Sequence, residues 1–238
     1  MKCLSFVFTL AFLTLLTFSA QAAEPPQKTF AAPNNMQLSV EEIGPVTQTT
    51  DLQIICIFKH DAAGGDQYIE AMQDFNSKQG NFLSNIRERG EFIGALGETF
   101  LYTPPAGSIT PKRVLLIGVG DKNSISIDAL RLAGRIAVRE AVRLGATNVS
   151  FAPTLRDQGS SVIDVGEEDA AVAQQVILAY DTEMKLQVQK LAPATTISTW
   201  TIEAGPKYFD GAVAKVGAIV TTASDELKGR NSSPYVKP

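Results

Sequence analysis

Four arginines recur at every fourth residue, Arg131, Arg135, Arg139 and Arg143. On a helix that spacing places them along one slowly drifting face, with Leu130, Ala133, Ala137, Ala141 and Leu144 on another. Two accounts stand: a solvated face, with Glu140 neutralising part of Arg143 from three residues away, or a stripe that binds an anion, an acidic partner protein or a second copy of the chain. A second group, Gly118-Val119-Gly120-Asp121, lies where a strand passes into a helix, a place where backbone amides can approach a phosphate. Asn123 stands where a dinucleotide fingerprint would carry its third glycine, and Asp121 sets a negative charge beside the amides. An ordinary strand-to-helix turn therefore competes there with a site for a nucleotide-like or other anionic small ligand, formed by Gly118, Gly120 and Asp121.

Other chemistry is poorly provided for. His60 and Asp61 end an apolar stretch in a glycine-bearing loop with Asp66, a common place for functional side chains. A metal needs three or four converging ligands, and the chain has one His and two Cys. A hydrogen-bonded loop is the better account of His60, and no metal and no cofactor are expected. No Gly-x-Ser-x-Gly elbow supports a Ser-His-Asp nucleophile, so no catalytic residue is assigned. Glu167, Glu168 and Asp169 read as acids in the first turn of a helix, where the dipole favours them. Trp200 reads as core, since Ile202 shares its face of a strand.

The whole sequence has 238 residues, 45% of them hydrophobic and 19% charged, enough for a sizeable core. Its 21 Lys and Arg against 25 Asp and Glu give a net charge of −4, which argues against a nucleic-acid partner. Lys2, the apolar stretch Leu4 to Phe18 and then Ser19-Ala20-Gln21-Ala22 have the order of a secretory signal peptide, residues 1–22. The stretch is shorter than the ~20 residues that span a bilayer. Export to a periplasm or the exterior is expected, with no stable membrane anchor once the peptide is removed. Cys3 leaves with that peptide, and Cys56 remains as a buried thiol within Leu52 to Phe58.

The elements that would carry these residues alternate in period. Residues 23–35, rich in Pro, Ala and Asn, read as a flexible leader. Met36 to Ile43 alternates like an edge strand, and Leu52 to Phe58 is continuous enough for a central one. Asp66 can cap a helix bearing Tyr68, Ile69, Met72 and Phe75; a second helix runs from Asn81 to Arg89 and stops at Gly90. Strands follow at Glu98 to Thr103 and Arg113 to Val119, then a helix from Ile127 to Leu144 behind Ser126. A strand at Val149 to Ala152, a helix from Glu167 to Lys190, a strand at Ile197 to Ile202 and a helix from Phe209 to Leu227 complete the series. The alternation predicts one α/β domain over residues 36–230 with helices on both faces of its sheet.

The order of these elements, with Gly90-Glu-Phe-Ile-Gly94-Ala-Leu-Gly97-Glu98-Thr-Phe-Leu-Tyr102, Arg113-Val-Leu-Leu-Ile-Gly118-Val-Gly120, the arginine helix and Val176-Ile-Leu-Ala-Tyr180-Asp, resembles the N-terminal domain of the leucyl aminopeptidase family. The tail 231–238, Asn231-Ser-Ser-Pro234 and on to Pro238, is similar to the connector that leads into that family's catalytic domain. The resemblance implies a three-layer α/β/α fold like that of macro domains, with a mixed central sheet. Family members hold two metals in the following domain, with a Lys, several acids and an Asn-Thr-Asp-Ala-Glu-Gly-Arg segment that does not occur in these 238 residues. The leading expectation is a secreted, non-catalytic binding or assembly module. Two others remain beside it: a macro-type domain for an anionic small ligand, and a regulatory or oligomerisation part of a metal-dependent aminopeptidase whose catalytic domain lies on another chain or in a longer sequence.

Overall fold

The computed structural model describes residues 24–230; the signal-peptide reading of 1–22 and the connector reading of 231–238 fall outside them. Seven strands form one sheet: β1 (Gln27–Ala31), β2 (Gln37–Glu41), β3 (Leu52–Phe58), β4 (Thr99–Tyr102), β5 (Val114–Gly120), β6 (Asn148–Ala152) and β7 (Thr199–Glu203). Their spatial order is β1-β2-β7-β6-β3-β5-β4. The inner five are parallel, and β1 and β4 close the edges as antiparallel neighbours of β2 and β5. The sheet is mixed, as the family resemblance implies.

The helices α1 (Glu70–Lys78), α2 (Phe82–Glu88), α3 (Ile127–Arg143), α4 (Val165–Val188) and α5 (Phe209–Lys228) make the two outer layers. Strand alternation sorts the two faces. Leu38, Val40, Ile54, Cys56, Phe151, Trp200 and Ile202 meet α3, α4 and α5 in the larger core, while Ile55, Ile57, Val114 and Leu116 meet Met72, Phe75, Leu83 and Ile86 of α1 and α2 in the smaller one. Trp200 is fully buried with Ile202, and its ring stacks on Phe151 at 6.4 Å. On the α1–α2 side the central residues of β6, β7 and β2, which face away from the larger core, are polar and buried. A polar row runs there in register, Gln53, Ser150, Thr201 and Ser39, with Ser39 and Thr201 hydroxyls 3.1 Å apart.

Several boundaries depart from the sequence reading. Residues 23–35 contain β1 and a 3₁₀ turn at Pro33–Asn35 in place of a flexible leader. β1 is exposed along almost its whole length, so it has no alternation to read. It is held by its ladder to β2 and by Phe30, which packs on α5 where a Cβ at Gly217 would lie 2.9 Å from the ring. Because β1 takes the edge, β2 is an inner strand. Asp66 does not cap α1, whose start is at Glu70 behind Ile69 with no side-chain cap. Ser126 caps α3 as expected, accepting from the Ala129 amide. α4 opens two residues earlier than expected, behind Asp164, which accepts from the Glu167 amide.

Candidate ligand-binding site

The carboxyl ends of all five parallel strands meet at one rim of the sheet, the usual place for ligands in open α/β folds. Two hollows share that rim, parted by the turn Arg156–Gln158 after β6. Arg156 and Asp157 line one, and Gln158 lines the other. The larger, about 620 Å³, is bounded by the segments leaving β2, β6 and β7, by Glu70 and Ala71 of α1, and by the first turn of α4.

Its walls are mostly apolar and its polar groups are mostly acids. Glu168 and Asp169 are 2% and 0% exposed, and Glu203 is 7% exposed. Oε1 of Glu168, both carboxyl oxygens of Asp169 and Oε2 of Glu203 are buried with no hydrogen-bond partner. Burial, against the weaker pull of Arg156, pushes the Glu168 carboxyl up to about 8. Burial with the charges of Glu168 and Asp164 holds Asp169 well above the ordinary carboxyl value. Glu203 is also raised to about 8 by burial, although it accepts from the Ser150 hydroxyl at 2.6 Å and lies beside the Gln53 amide. Near the mouth, burial and the charge of Glu70 raise Asp157 to about 6. Buried carboxyls are costly when ionised and unpaired, so Glu168, Asp169 and Glu203 hold their protons to higher pH than ordinary carboxyls do.

The sequence reading treated Glu167, Glu168 and Asp169 alike as a charged helix start. Only Glu167 behaves so, exposed and paired with Lys215. Counting back in fours from Val172 and Ala173, and on to Val176, Ile177 and Tyr180, puts Glu168 and Asp169 on the buried face. That periodicity was available in the sequence.

The smaller hollow, about 310 Å³, lies beyond β3 and β5 and includes His60, Asp61, Asp66, Tyr68, Arg87 and Asp121. Arg87, 1% exposed, donates to Asp66 through Nε at 2.6 Å and Nη2 at 2.9 Å and also to the Phe58 carbonyl at 2.8 Å. Nδ1 of His60 lies 2.9 Å from Asp66. Burial would raise the Asp66 carboxyl, but the hydrogen bond and charge of Arg87, with His60, hold it below its ordinary value. The loop His60 to Asp66 is thus an ion-paired anchor to α2. No group of three or more His, Cys, Asp or Glu side chains suited to a metal ion occurs among the described residues.

The glycines at the end of β5 have a packing role. The Gly118 amide donates to the Glu98 carbonyl, and the Gly120 amide donates to the Gly94 carbonyl. A Cβ on Gly118 would lie 2.0 Å from the Ala95 carbonyl oxygen. Both amides are therefore already engaged, and Asp121 caps the following turn by accepting from the Asn123 amide. Of the three, Asp121 lines the smaller hollow.

The arginines do share one side of α3, and three of them meet acids of the same chain. Arg131 pairs with Asp128 at 3.0 Å, Arg143 with Glu140 at 2.7 Å, and Arg139 lies 3.9 Å from Glu183. Arg135 and Arg139 flank a shallow groove between α3 and α4 that also includes Arg230.

This combination of a mixed seven-stranded sheet, helices on both faces and hollows at its carboxyl rim defines a macrodomain-like α/β protein. A macrodomain of Oceanobacillus iheyensis, solved with ADP, superposes with a TM-score of 0.57 at 12% identity, over 84% of this chain and 100% of that one. A tomato leucine aminopeptidase variant superposes with a TM-score of 0.59 at 18% identity, over 88% of this chain and 40% of the other. A probable cytosol aminopeptidase of Roseiflexus castenholzii is 23% identical over 152 residues, 63% of this chain and 28% of that protein. The family model for the N-terminal domain of the cytosol aminopeptidase family matches residues 55–182, more than half of the chain, and the chain belongs to that family. It spans well under half the length of these two aminopeptidases.

Proposed function

We propose that the protein is an exported, non-catalytic binding module and that its ligand occupies the 620 Å³ cavity at the ends of β2, β6 and β7. The observation that carries this is that three cavity-lining residues, Glu168, Asp169 and Glu203, have buried carboxyl oxygens with no hydrogen-bond partner; such groups are costly in a fold unless a ligand or proton satisfies them. Export rests on the order of Lys2, Leu4 to Phe18 and Ala20-Gln21-Ala22. The non-catalytic reading rests on the family's chemistry, in which two metals polarise the peptide carbonyl from a segment these residues do not include.

Purified chain beginning at Ala23 is expected to release no aniline from leucine anilide, with or without added zinc or manganese, and protein from its native host is expected to begin at or near Ala23 by mass spectrometry. Metal-dependent release that survives purification to constant specific activity would contradict the non-catalytic reading, and a retained Met1 would contradict export.

A further inference from the structure

We propose that the cavity takes a small organic cation, an amine or guanidinium carried on an apolar body. This rests on the reading of the cavity as a ligand site and goes beyond it by assigning the ligand's charge and shape. Among the cavity-lining residues, both oxygens of the fully buried Asp169 and one oxygen each of Glu168 and Glu203 have no hydrogen-bond partner. Four carboxyl oxygens without donors call for a ligand that supplies N–H groups, and hydrogen bonds between an ammonium or guanidinium and a carboxylate are the strong ones.

Competing charge near these acids is sparse. Arg156 is the one cationic side chain among the cavity-lining residues; its Nη2 is occupied by the Ile163 carbonyl at 2.8 Å and its Nε is buried without a partner, a single donor against four unpartnered carboxyl oxygens. Glu42, Glu70 and Asp157 stand further out along the same walls, so the field along the entry is negative and favours a positive ligand. A phosphate-bearing ligand would meet the same field as repulsion.

The acids do not converge on a point as metal ligands do. No three of them form a group suited to an ion, and they are spread around a space far larger than a bare cation fills. Between them lie apolar surfaces such as Ile43, Pro45, Leu155, Val165 and Pro206. A polyatomic cation with a hydrocarbon or aromatic body satisfies both kinds of wall at once. When it binds, the ammonium takes the place of the proton on one carboxyl, which leaves as a hydronium ion to the buffer.

Calorimetric titration of the chain from Ala23, at pH 8, tests this with four probes: 2-phenylethylamine, agmatine, the neutral 2-phenylethanol and ADP. At least one of the two cations is expected to bind at least tenfold more tightly than the alcohol, with no heat from ADP. Asp169→Asn and Glu168→Gln, which keep shape while removing the capacity to ionise, are each expected to weaken that cation at least tenfold while leaving the unfolding transition cooperative. Should one variant not fold, the other and the wild-type probe ranking still decide the matter. Equal binding of amine and alcohol, or binding of ADP in preference to the amines, overturns the cation assignment and leaves the cavity as a ligand site. No binding of any probe by the wild-type protein overturns the assignment and counts against the cavity as a ligand site as well.

Discussion

Gly118→Ala is expected to cost at least about 3 kcal/mol of stability, a large part of the ~5–15 kcal/mol that holds a domain of ordinary size. The added Cβ would lie 2.0 Å from the Ala95 carbonyl oxygen and 2.6 Å from the Gly94 carbonyl carbon, so a backbone has to move. Neither side has room to do so. Gly118 sits in β5 between β3 and β4, and its amide and carbonyl are bonded to Glu98 and Gly97 on the opposing segment. Overpacking that displaces main chain commonly costs about 1–3 kcal/mol where side chains can yield, and here it also breaks hydrogen bonds. Urea denaturation followed by circular dichroism measures it. A loss under about 1 kcal/mol would show that the close approach of the two glycine-bearing segments is not needed, and would return these glycines to a ligand role.

The second large effect runs in the opposite direction. Glu203→Gln is expected to stabilise the protein on the order of 2–4 kcal/mol at pH 8 and by almost nothing at pH 4. Burial raises the Glu203 carboxyl from 4.5 to about 8 in the folded state. Below about pH 4.5 it is protonated whether the chain is folded or not, and it contributes no pH dependence. Between there and about 8 the unfolded chain ionises while the folded one keeps its proton, so stability falls as pH rises. Above 8 both states are ionised and the penalty is constant. Gln retains an acceptor for the Ser150 hydroxyl and supplies an N–H near Gln53, whose Oε1 is itself buried without a partner. Melting temperatures from pH 4 to 9 should converge for the two proteins at the acid end and separate by roughly 5–10 °C at pH 8. Parallel curves would mean that Glu203 ionises freely in the fold.

What was legible in the sequence follows from how each signal arises. α3 was plain from Ser126 to Gly145, because a cap, an apolar stripe and a stop all bear on the same 17 residues. β3 and β5 were plain because strands buried on both faces are continuous in apolar residues. β1 was not, since an exposed edge strand owes its place to a ladder with β2 that leaves no trace in its own residues. The family resemblance gave the mixed sheet and the layer order, which local periodicity does not carry.

The candidate site was less legible than the fold. Attention to glycines and to concentrated positive charge led to Gly118 and the arginines, whereas the larger cavity is formed by residues from at least five separate segments. Glu203 ends an unremarkable β7 and Glu168 looks like a helix-start acid; only their burial, produced by β6, β7 and α4 coming together, makes them unusual. Burial of polar residues is a tertiary property, and the one local hint was the position of Glu168 and Asp169 on the apolar face of α4.

The account stands most directly on where a ligand goes. In a ¹H–¹⁵N correlation titration of the labelled chain with 2-phenylethylamine, saturable shifts are predicted at Ala152, Thr154 to Asp157, Val165, Glu168, Asp169, Ala204 and Gly205, which border the cavity. Shifts centred instead on Phe58 to Asp61 and Asp121 to Asn123, around the smaller hollow, or no saturable shifts at all, would contradict it.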